Sequence, residues 1–590
     1  MSWQGKSVLA LVYGCVLMIP VAWVLLHAQD PAARDQIARA FERTDIAGLL
    51  ANSIFLALLT AVFAIALGLP LALLLNLCDF PGRGWIGRIY FLPLVIPPHI
   101  HTIAWARVVG DRGWLTGWLD QAFDYQLDVR APMGDPDLDA ILGHLYPGPA
   151  WVMACAYFPL VTLAVGAGLR GIDARGVESA RLLGSRSAVL WKVIVPQIVP
   201  RLFAGTAFVF LLALATYPVV SLLDTPVLIQ KVFFTLAQAH GDEAAAAVIG
   251  LPLVGVALLV IGVLGRIEAD VDTRQTGIHP LRPSGSQIWA VFAVLIIFAL
   301  ASGTPLGSLL WEAGPLNLSG DGRLDNYQSV VDRVDEAFLD SMVLAAAGVC
   351  ALLVLSWPLG RLLARGRGML LETVGLGTLA FPPEIIGVAL LLFWSQLAGH
   401  EIPFPFLVAA GLLIAAPVIL RARRKEALVA GAALAGMVVC GWMFLETSGL
   451  AAAVQKRGIW LVVLAYLARF LPFTVRMFRN GFRSLDPDEE DAARILGHGW
   501  FSRAVNVQAP RLSGVVMSVV VLSWVLCFTE LPATLLTLRP GWQSVQVRIF
   551  NMVHYQSIGE VAALCVLVVI LTSLPVVILS MFARRTGKVL

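Results

Sequence analysis

The sequence predicts an all-α, polytopic membrane protein folded from two parallel repeats, with about 12–14 transmembrane helices. Three observations predict it. Of 590 residues, 58% are hydrophobic and 14% charged, with a mean hydropathy of +0.81; charged residues make up about a quarter of an ordinary soluble domain. Apolar runs of bilayer-crossing length recur along the chain, in place of the short alternating segments of a membrane barrel. Finally, Glu178-Ser179-Ala180-Arg181-Leu182-Leu183-Gly184 and Asp491-Ala492-Ala493-Arg494-Ile495-Leu496-Gly497 are nearly the same polar word, 313 residues apart, each between apolar stretches.

The apolar runs place spans at 7–26, 48–76, 87–110, 150–170, 202–222, 244–265, 287–309, 338–364, 370–398, 404–421, 427–446, 458–476, 514–537 and 560–583. The first is read as an uncleaved membrane helix, because its length and the bulky residue in Leu26-His27-Ala28 disfavour a signal peptide. Seven cysteines are scattered through these segments without a CxxC pair, so they read as packing residues, and no metal site is expected.

Basic residues set the orientation. Arg170 to Arg201 carries six basic residues against two acids, and the tail at 584–590 is basic. Asp111 to Asp139 holds seven aspartates and two arginines, and Glu312 to Glu336 holds six acids and two arginines. The alternation puts both termini and both repeated words on the cytoplasmic side.

The repeat extends beyond the word. Asn52-Ser53 and Pro70 match Asp340-Ser341 and Pro358 at an offset of 288, and Pro97-Pro98 matches Pro382-Pro383 at 285. Asp173 matches Asp486 at 313, Pro218 matches Pro532 at 314 and Glu243 matches Glu560 at 317. The predicted organisation is a first helix and linker at 1–47, a first repeat at 48–265, a linker with one helix at 266–337, and a second repeat at 338–583 with an extra helical hairpin at 404–446.

Asp486-Pro487-Asp488-Glu489 predicts a helix start, with aspartate as N-cap, proline at the first helical position and glutamate reaching back in a capping box. Glu490 and Asp491 add negative charge at the positive end of the helix dipole. Gly497 predicts the left-handed stop, and a second helix from about Trp500 leads to Pro510. In the first copy Asp173 is the cap, Gly184 the stop, and Pro196 stands before the span. The ordinary reading of such a helix is an amphipathic interfacial one. Two copies with the same order, and small residues Ala492 and Ala493, favour docking to a soluble partner.

These residues resemble the EAA loop of ABC-importer permeases, in which Glu-Ala-Ala is followed by glycine and an apolar-x-Leu-Pro ending. Gly497 to Pro510 keeps that spacing, and Gly184 to Pro196 is one residue shorter. Asp491 replaces the glutamate, and Ser179 replaces an alanine after Glu178, with Ala180 retained. Arg469-Phe470-Leu471-Pro472 and Glu530-Leu531-Pro532-Ala533-Thr534 are similar to fused two-domain permeases of the ferric-iron, thiamine and phosphonate group. The resemblance implies a type I ABC-importer permease fold in a bacterial inner membrane, with a coupling helix in each repeat. It also implies two copies of a cytoplasmic ATPase that hold ATP and magnesium, a periplasmic solute-binding protein, and iron(III) as the favoured solute; nucleic acid has no place in it.

No Walker A sequence is present, since Gly5-Lys6-Ser7 lacks the leading glycine, and no catalytic triad, dinucleotide turn or HExxH stands out. The chain reads as a permease without catalysis or cofactor of its own. Ionisable residues inside spans are functional candidates: His99 and Glu384, each after a double proline, with Asp224 and Glu530. The competing expectation for His99 and Glu384 is a wet place at the extracytoplasmic boundary, and Arg469 is expected to snorkel at a cytoplasmic span end. A secondary transporter is the alternative function, and would hold buried acid–base pairs at mid-membrane. A membrane scaffold is a third.

Overall fold

The computed structural model of the chain describes residues 45–110, 113–123, 146–172, 174–183, 185–237, 243–269, 288–314, 325–364, 381–398, 459–497, 499–538 and 541–585. Within them the first half runs α1 (Ile46–Leu77), α2 (Arg83–Ile89), α3 (Leu92–Val95), α4 (Pro98–Val109), α5 (Trp114–Phe123), α6 (Pro147–Arg170), α7 (Ala174–Leu183), α8 (Arg186–Val189), a π-turn (Leu190–Ile194), α9 (Val195–Leu214), α10 (Tyr217–Leu222), α11 (Leu228–Ala237) and α12 (Glu243–Ala269). Helices α13 (Ile288–Phe298) and α14 (Thr304–Glu312) follow, joined by a second π-turn (Ala299–Gly303). The second half runs α15 (Asp325–Ala364), α16 (Pro383–Ala398), α17 (Ile459–Arg483), α18 (Pro487–Ile495), α19 (Trp500–Arg503), a third π-turn (Ala504–Gln508), α20 (Ala509–Arg511), α21 (Ser513–Thr529), α22 (Pro532–Thr537), α23 (Val545–Met552) and α24 (Ile558–Arg585).

Eight of the described helices are long and apolar enough to cross a membrane, or nine if a bent pair counts as one span. The expected spans at 7–26, 404–421 and 427–446 lie outside the described residues, as does 370–380 of the ninth. Three expected spans change form. The stretch 87–110 is no single helix: it bends by 93° between α3 and α4, because Pro97 and Pro98 supply no N–H and exclude the helical conformation before them. The stretch 202–222 begins earlier, at α8, and breaks at Ala215–Thr216. The stretch 514–537 breaks in the same way at Glu530–Leu531. Two others lengthen, as α15 begins at Asp325 and α17 runs on to Arg483.

The repeat is visible in the hydrogen bonds. Ser53 Oγ in α1 accepts from Leu228 N–H at 3.0 Å, and Ser341 Oγ in α15 accepts from Val545 N–H at 2.8 Å. One position earlier, Asn52 donates to Pro226 O at 3.0 Å and Asp340 accepts from Gln543 N–H at 3.1 Å. Each bond ties the long first helix of a half to the start of α11 or α23. The main helix pairs are α1 on α6 and α15 on α17. They close tightly over small residues: a Cβ on Gly68 would meet Phe158 O at 2.7 Å, and one on Gly360 would meet Phe478 Cβ at 2.4 Å.

The two cores are not self-contained. Ile100, Ile103 and Ala104 of α4 are buried in the core of the second half, with α14 packed on α4. Ile385 of α16 is buried in the core of the first half. Trp105 and Val108 of α4 stay in the first-half core, and Ile386 and Leu390 of α16 pack with residues of α17 and α22 in their own half. Each helix after the double proline therefore straddles the two halves and brings its polar residues to the interface.

Candidate functional site: two coupling helices and a buried polar cluster

Helices α7 and α18 present matched faces. Ala180 packs inward against the first-half core, and its counterpart Ala493 is 7% exposed. Leu182 and Ile495, matched at an offset of 313, stand 88% and 85% exposed. Glu178 and Ser179 are exposed beside Leu182, as Asp491 and Ala492 are beside Ile495. Of the two small residues expected to suit docking, only Ala492 shares the outer face, since on a 3.6-residue helix neighbours diverge by about 100°.

The second copy is capped as expected at one point and differently at another. Asp486 Oδ1 accepts from Asp488 N–H at 3.0 Å, the N-cap bond. Glu489 does not close a capping box. It pairs with Arg511, whose Nε donates to Glu489 Oε2 at 3.0 Å, because the guanidinium across the turn offers two N–H groups. Gly497 holds φ +80°, the left-handed stop. Glu490 lies within α18, and Asp173 and Gly184 lie outside the described residues.

After the turn, both copies pass through a five-residue π-turn, Leu190–Ile194 and Ala504–Gln508, at an offset of 314. Each precedes or abuts the exposed proline, Pro196 or Pro510. A proline cannot donate to the carbonyl four residues back and its ring crowds that carbonyl, and a widened turn relieves both. The offset is already 314 at α8 and α19. The residue missing from the first copy is therefore lost in the turn at Ser185, and the helix beyond it keeps its form.

About 30 Å away, the length of the 20-residue α9, polar residues from both halves gather inside the bundle. His99 in α4 is 1% exposed, and its Nε2 lies 2.8 Å from Gln546 Oε1 in α23 of the other half. Gln546 in turn donates to Phe528 O at 3.1 Å. His101 points elsewhere, with Nε2 3.1 Å from Pro93 O. Glu384 in α16 is wholly buried, and neither carboxylate oxygen has a hydrogen-bond partner. The expectation that His99 and Glu384 are wet is overturned, because α4 and α16 are packed between the two halves.

Arg469 is the eleventh residue of the 25-residue α17, about 15 Å from its start, and it pairs with Glu530. The snorkelling expectation fails here, since the guanidinium finds a carboxylate at mid-span and has no need of the headgroups. Glu530 sits at the break before α22, and its Oε1 accepts from Ala533 N–H at 3.0 Å. In the first half the equivalent break holds Thr216, bonded at 2.9 Å to Tyr157. Tyr157 is within electrostatic reach of Arg469 and Glu530, and Tyr217 of Glu384. Asp224 is exposed in a turn with φ +49°, where it accepts from Gln230 at 3.2 Å, apart from this cluster. Tyr157, Thr216 and Arg469 join Glu384 and Glu530, and Gln546 joins His99. Sequence reading named His99, Glu384 and Glu530 as candidates and Arg469 only as a snorkelling residue, and the offset of 314 from Thr216 to Glu530 was the available signal. A cavity of about 400 Å³ lies between the halves at the far end from the coupling helices, lined by Thr102, Arg107, Leu222 and Gln556 among others. Arg107 there pairs with Glu312 at 2.7 Å.

Residues 353–587 match the family described as binding-protein-dependent transport system inner membrane component. The chain is an inner-membrane permease of the ABC-importer type. This permease is 28% identical over 225 residues to the molybdenum transport system permease protein ModB of Escherichia coli K12, covering 36% of the chain and 90% of ModB. It is 32% identical over 136 residues to the putative 2-aminoethylphosphonate transport system permease protein PhnV of Salmonella typhimurium, covering 23% of the chain and 51% of PhnV. With PhnU of the same organism it shares 27% identity over 216 residues, 36% of the chain and 71% of PhnU. Of the described residues, a permease helix bundle is formed with no strand.

Proposed function

We infer that the chain fuses both permease domains of an ATP-driven importer, 48–265 and 338–583, in a single polypeptide. The observation that carries this reading is the matched outer face of α7 and α18, with Leu182 and Ile495 almost fully exposed at the same position of each copy. Apolar side chains held out at the same position of two short polar helices, with Leu496 beside the second, suit two grooves in a pair of soluble subunits, each an ATPase. ModB, a separate permease, is matched over 90% of its length by little more than a third of this chain, which supports two such units here. The cytoplasmic placement of both loops and both termini rests on the charge alternation.

The solute is an oxyanion of the molybdate or phosphonate type, delivered by a binding protein on the outer face. The names of the relatives favour that class over the iron(III) expected from the sequence words. In the cycle, ATP closes the ATPase pair, α7 and α18 move with it, and the halves rock about the crossing of α4 and α16. ATP must bind one access state better than the other for this to do work.

The test is co-purification and transport. An ATPase subunit should be recovered with the chain, and the substitutions L182E and I495E together should abolish its recovery while leaving the chain in the membrane. Uptake into proteoliposomes containing ATP should then be lost. The buried Arg469–Glu530 pair and the unpartnered Glu384 favour one other reading, a proton-coupled carrier. Uptake that persists without ATP and follows a proton gradient establishes that reading in place of ours.

A further inference from the structure

Helices α4 and α16 occupy equivalent places in the repeat, and each packs on both halves. His99, second residue of α4, meets Gln546 in α23. At the repeat offset of 317 the first-half counterpart of Gln546 is Ile229, itself 1% exposed. The polar partner that His99 finds therefore has no polar equivalent in the first half for Glu384, second residue of α16. The crossing itself is close: a Cβ on Gly250 of α12 would sit 2.4 Å from Ile385 Cδ1. This explains the orphaned carboxyl. Buried without a hydrogen bond, it is costly in either protonation state, with only the N-terminal turn of α16 to support it.

A cation stands nearby. Glu384 is within electrostatic reach of Arg469 and Glu530, and α16 packs directly on both α17 and α22. In the Arg469–Glu530 pair the arginine side chain keeps 26% of its surface exposed and the glutamate 3%, so the guanidinium is the member with room to move. Glu530 is prepared for its departure, because its Oε1 already takes the Ala533 N–H. The hydroxyls of Tyr157 and Thr216, bonded to each other, face the same pair from the first half, and Tyr217 faces Glu384.

We propose that Arg469 exchanges Glu530 for Glu384 when the permease changes access state, so that Glu384 is a positioning residue of the transport cycle. The carboxyl that is unpartnered in one state becomes paired in the other, and each state satisfies one carboxylate at the expense of its neighbour. The proposal rests on the alternating-access reading above. It concerns which pair forms, whereas that reading concerns what drives the change.

The experiment uses the complex of the chain with its ATPase in lipid nanodiscs, nucleotide-free and locked with ATP and vanadate. Unfolding midpoints of E384Q, E530Q, R469Q and the two double variants give the coupling of Arg469 to each carboxylate in each state. Opposite pairing is expected, 530 with 469 in one state and 384 with 469 in the other. E384Q should also slow ATP-driven uptake about tenfold with KM for the solute unchanged. Equal coupling of 384 to 469 in both states, or wild-type uptake by E384Q, overturns the proposal. Should any of these variants fail to fold, cysteines at 384 and 469 in a cysteine-free background replace them. A short thiol cross-linker should join these cysteines in one state only, and equal yields in both states again overturn the proposal. Loss of ATP dependence in the unmodified complex sinks the importer reading instead, which is a separate readout.

Discussion

The two halves break their inner helix at the same place and hold the break in different ways. Between α9 and α10 the first half uses Thr216, neutral, bonded to Tyr157. Between α21 and α22 the second half uses Glu530, charged, bound to Arg469 and to the backbone of α22. The geometry of the break is common property of the repeat, fixed by the following proline, Pro218 or Pro532, at the entry of the next helix. The polar group that satisfies it is free to vary, and the second half has made it ionic. Buried charge is poor material for stability and good material for a two-state device, so under the pair exchange proposed above the moving part belongs to the second half.

The largest effect should come from breaking that contrast. E530Q leaves Arg469 without its carboxylate and should cost about 3 kcal/mol, read as a drop in thermal unfolding midpoint in detergent. T216V, at the equivalent break, should cost about 1 kcal/mol. Similar losses from the two would mean that the ion pair contributes no more than the neutral one.

The coupling elbows give the next contrast. Gly497 sits at φ +80° with open space around it, so G497A is opposed only by backbone strain. It should cost about 1–2 kcal/mol locally, seen as faster amide exchange in α18, with weaker retention of the ATPase. Exchange unchanged in α18 would show that the left-handed stop is dispensable.

Beneath the same elbow the halves differ again. Ile194 is fully buried in the first-half core, and its counterpart Gln508 is 1% exposed with neither amide atom bonded. Q508I makes the second half like the first. It should stabilise the protein by about 1 kcal/mol, measured by thermal unfolding; a loss would reveal a hidden use for the amide. The smallest effect belongs to R511A. The Arg511–Glu489 pair is largely exposed, and pairs of that kind contribute about 0–1 kcal/mol; a larger loss would make it a structural part of the second elbow.

Much of this molecule was legible in its sequence. The all-α membrane fold follows from hydropathy, which is a property of each segment alone. The doubled word, the Asp486 cap and the Gly497 stop are local too, so each was readable before any packing was known. The offset of 288 matched Asn52-Ser53 with Asp340-Ser341 as equivalents, and the structure shows what each pair binds. Sequence reading went wrong where the outcome depended on a neighbour far along the chain. Glu489 was assigned to its own helix terminus and instead met Arg511. Arg469 was assigned to water and instead met Glu530.

The tertiary structure alone decided that α4 and α16 pack on both halves at once. Hydropathy records that a helix is apolar, and it carries no record of which of two similar cores the helix will enter. That choice buried His99 against Gln546 and left Glu384 without a hydrogen-bond partner, two outcomes from one repeated position. The doubled prolines determined that the chain would bend there, by removing N–H groups and barring the helical conformation. Where the bend led, and hence which polar groups met, was settled by packing between residues hundreds of positions apart.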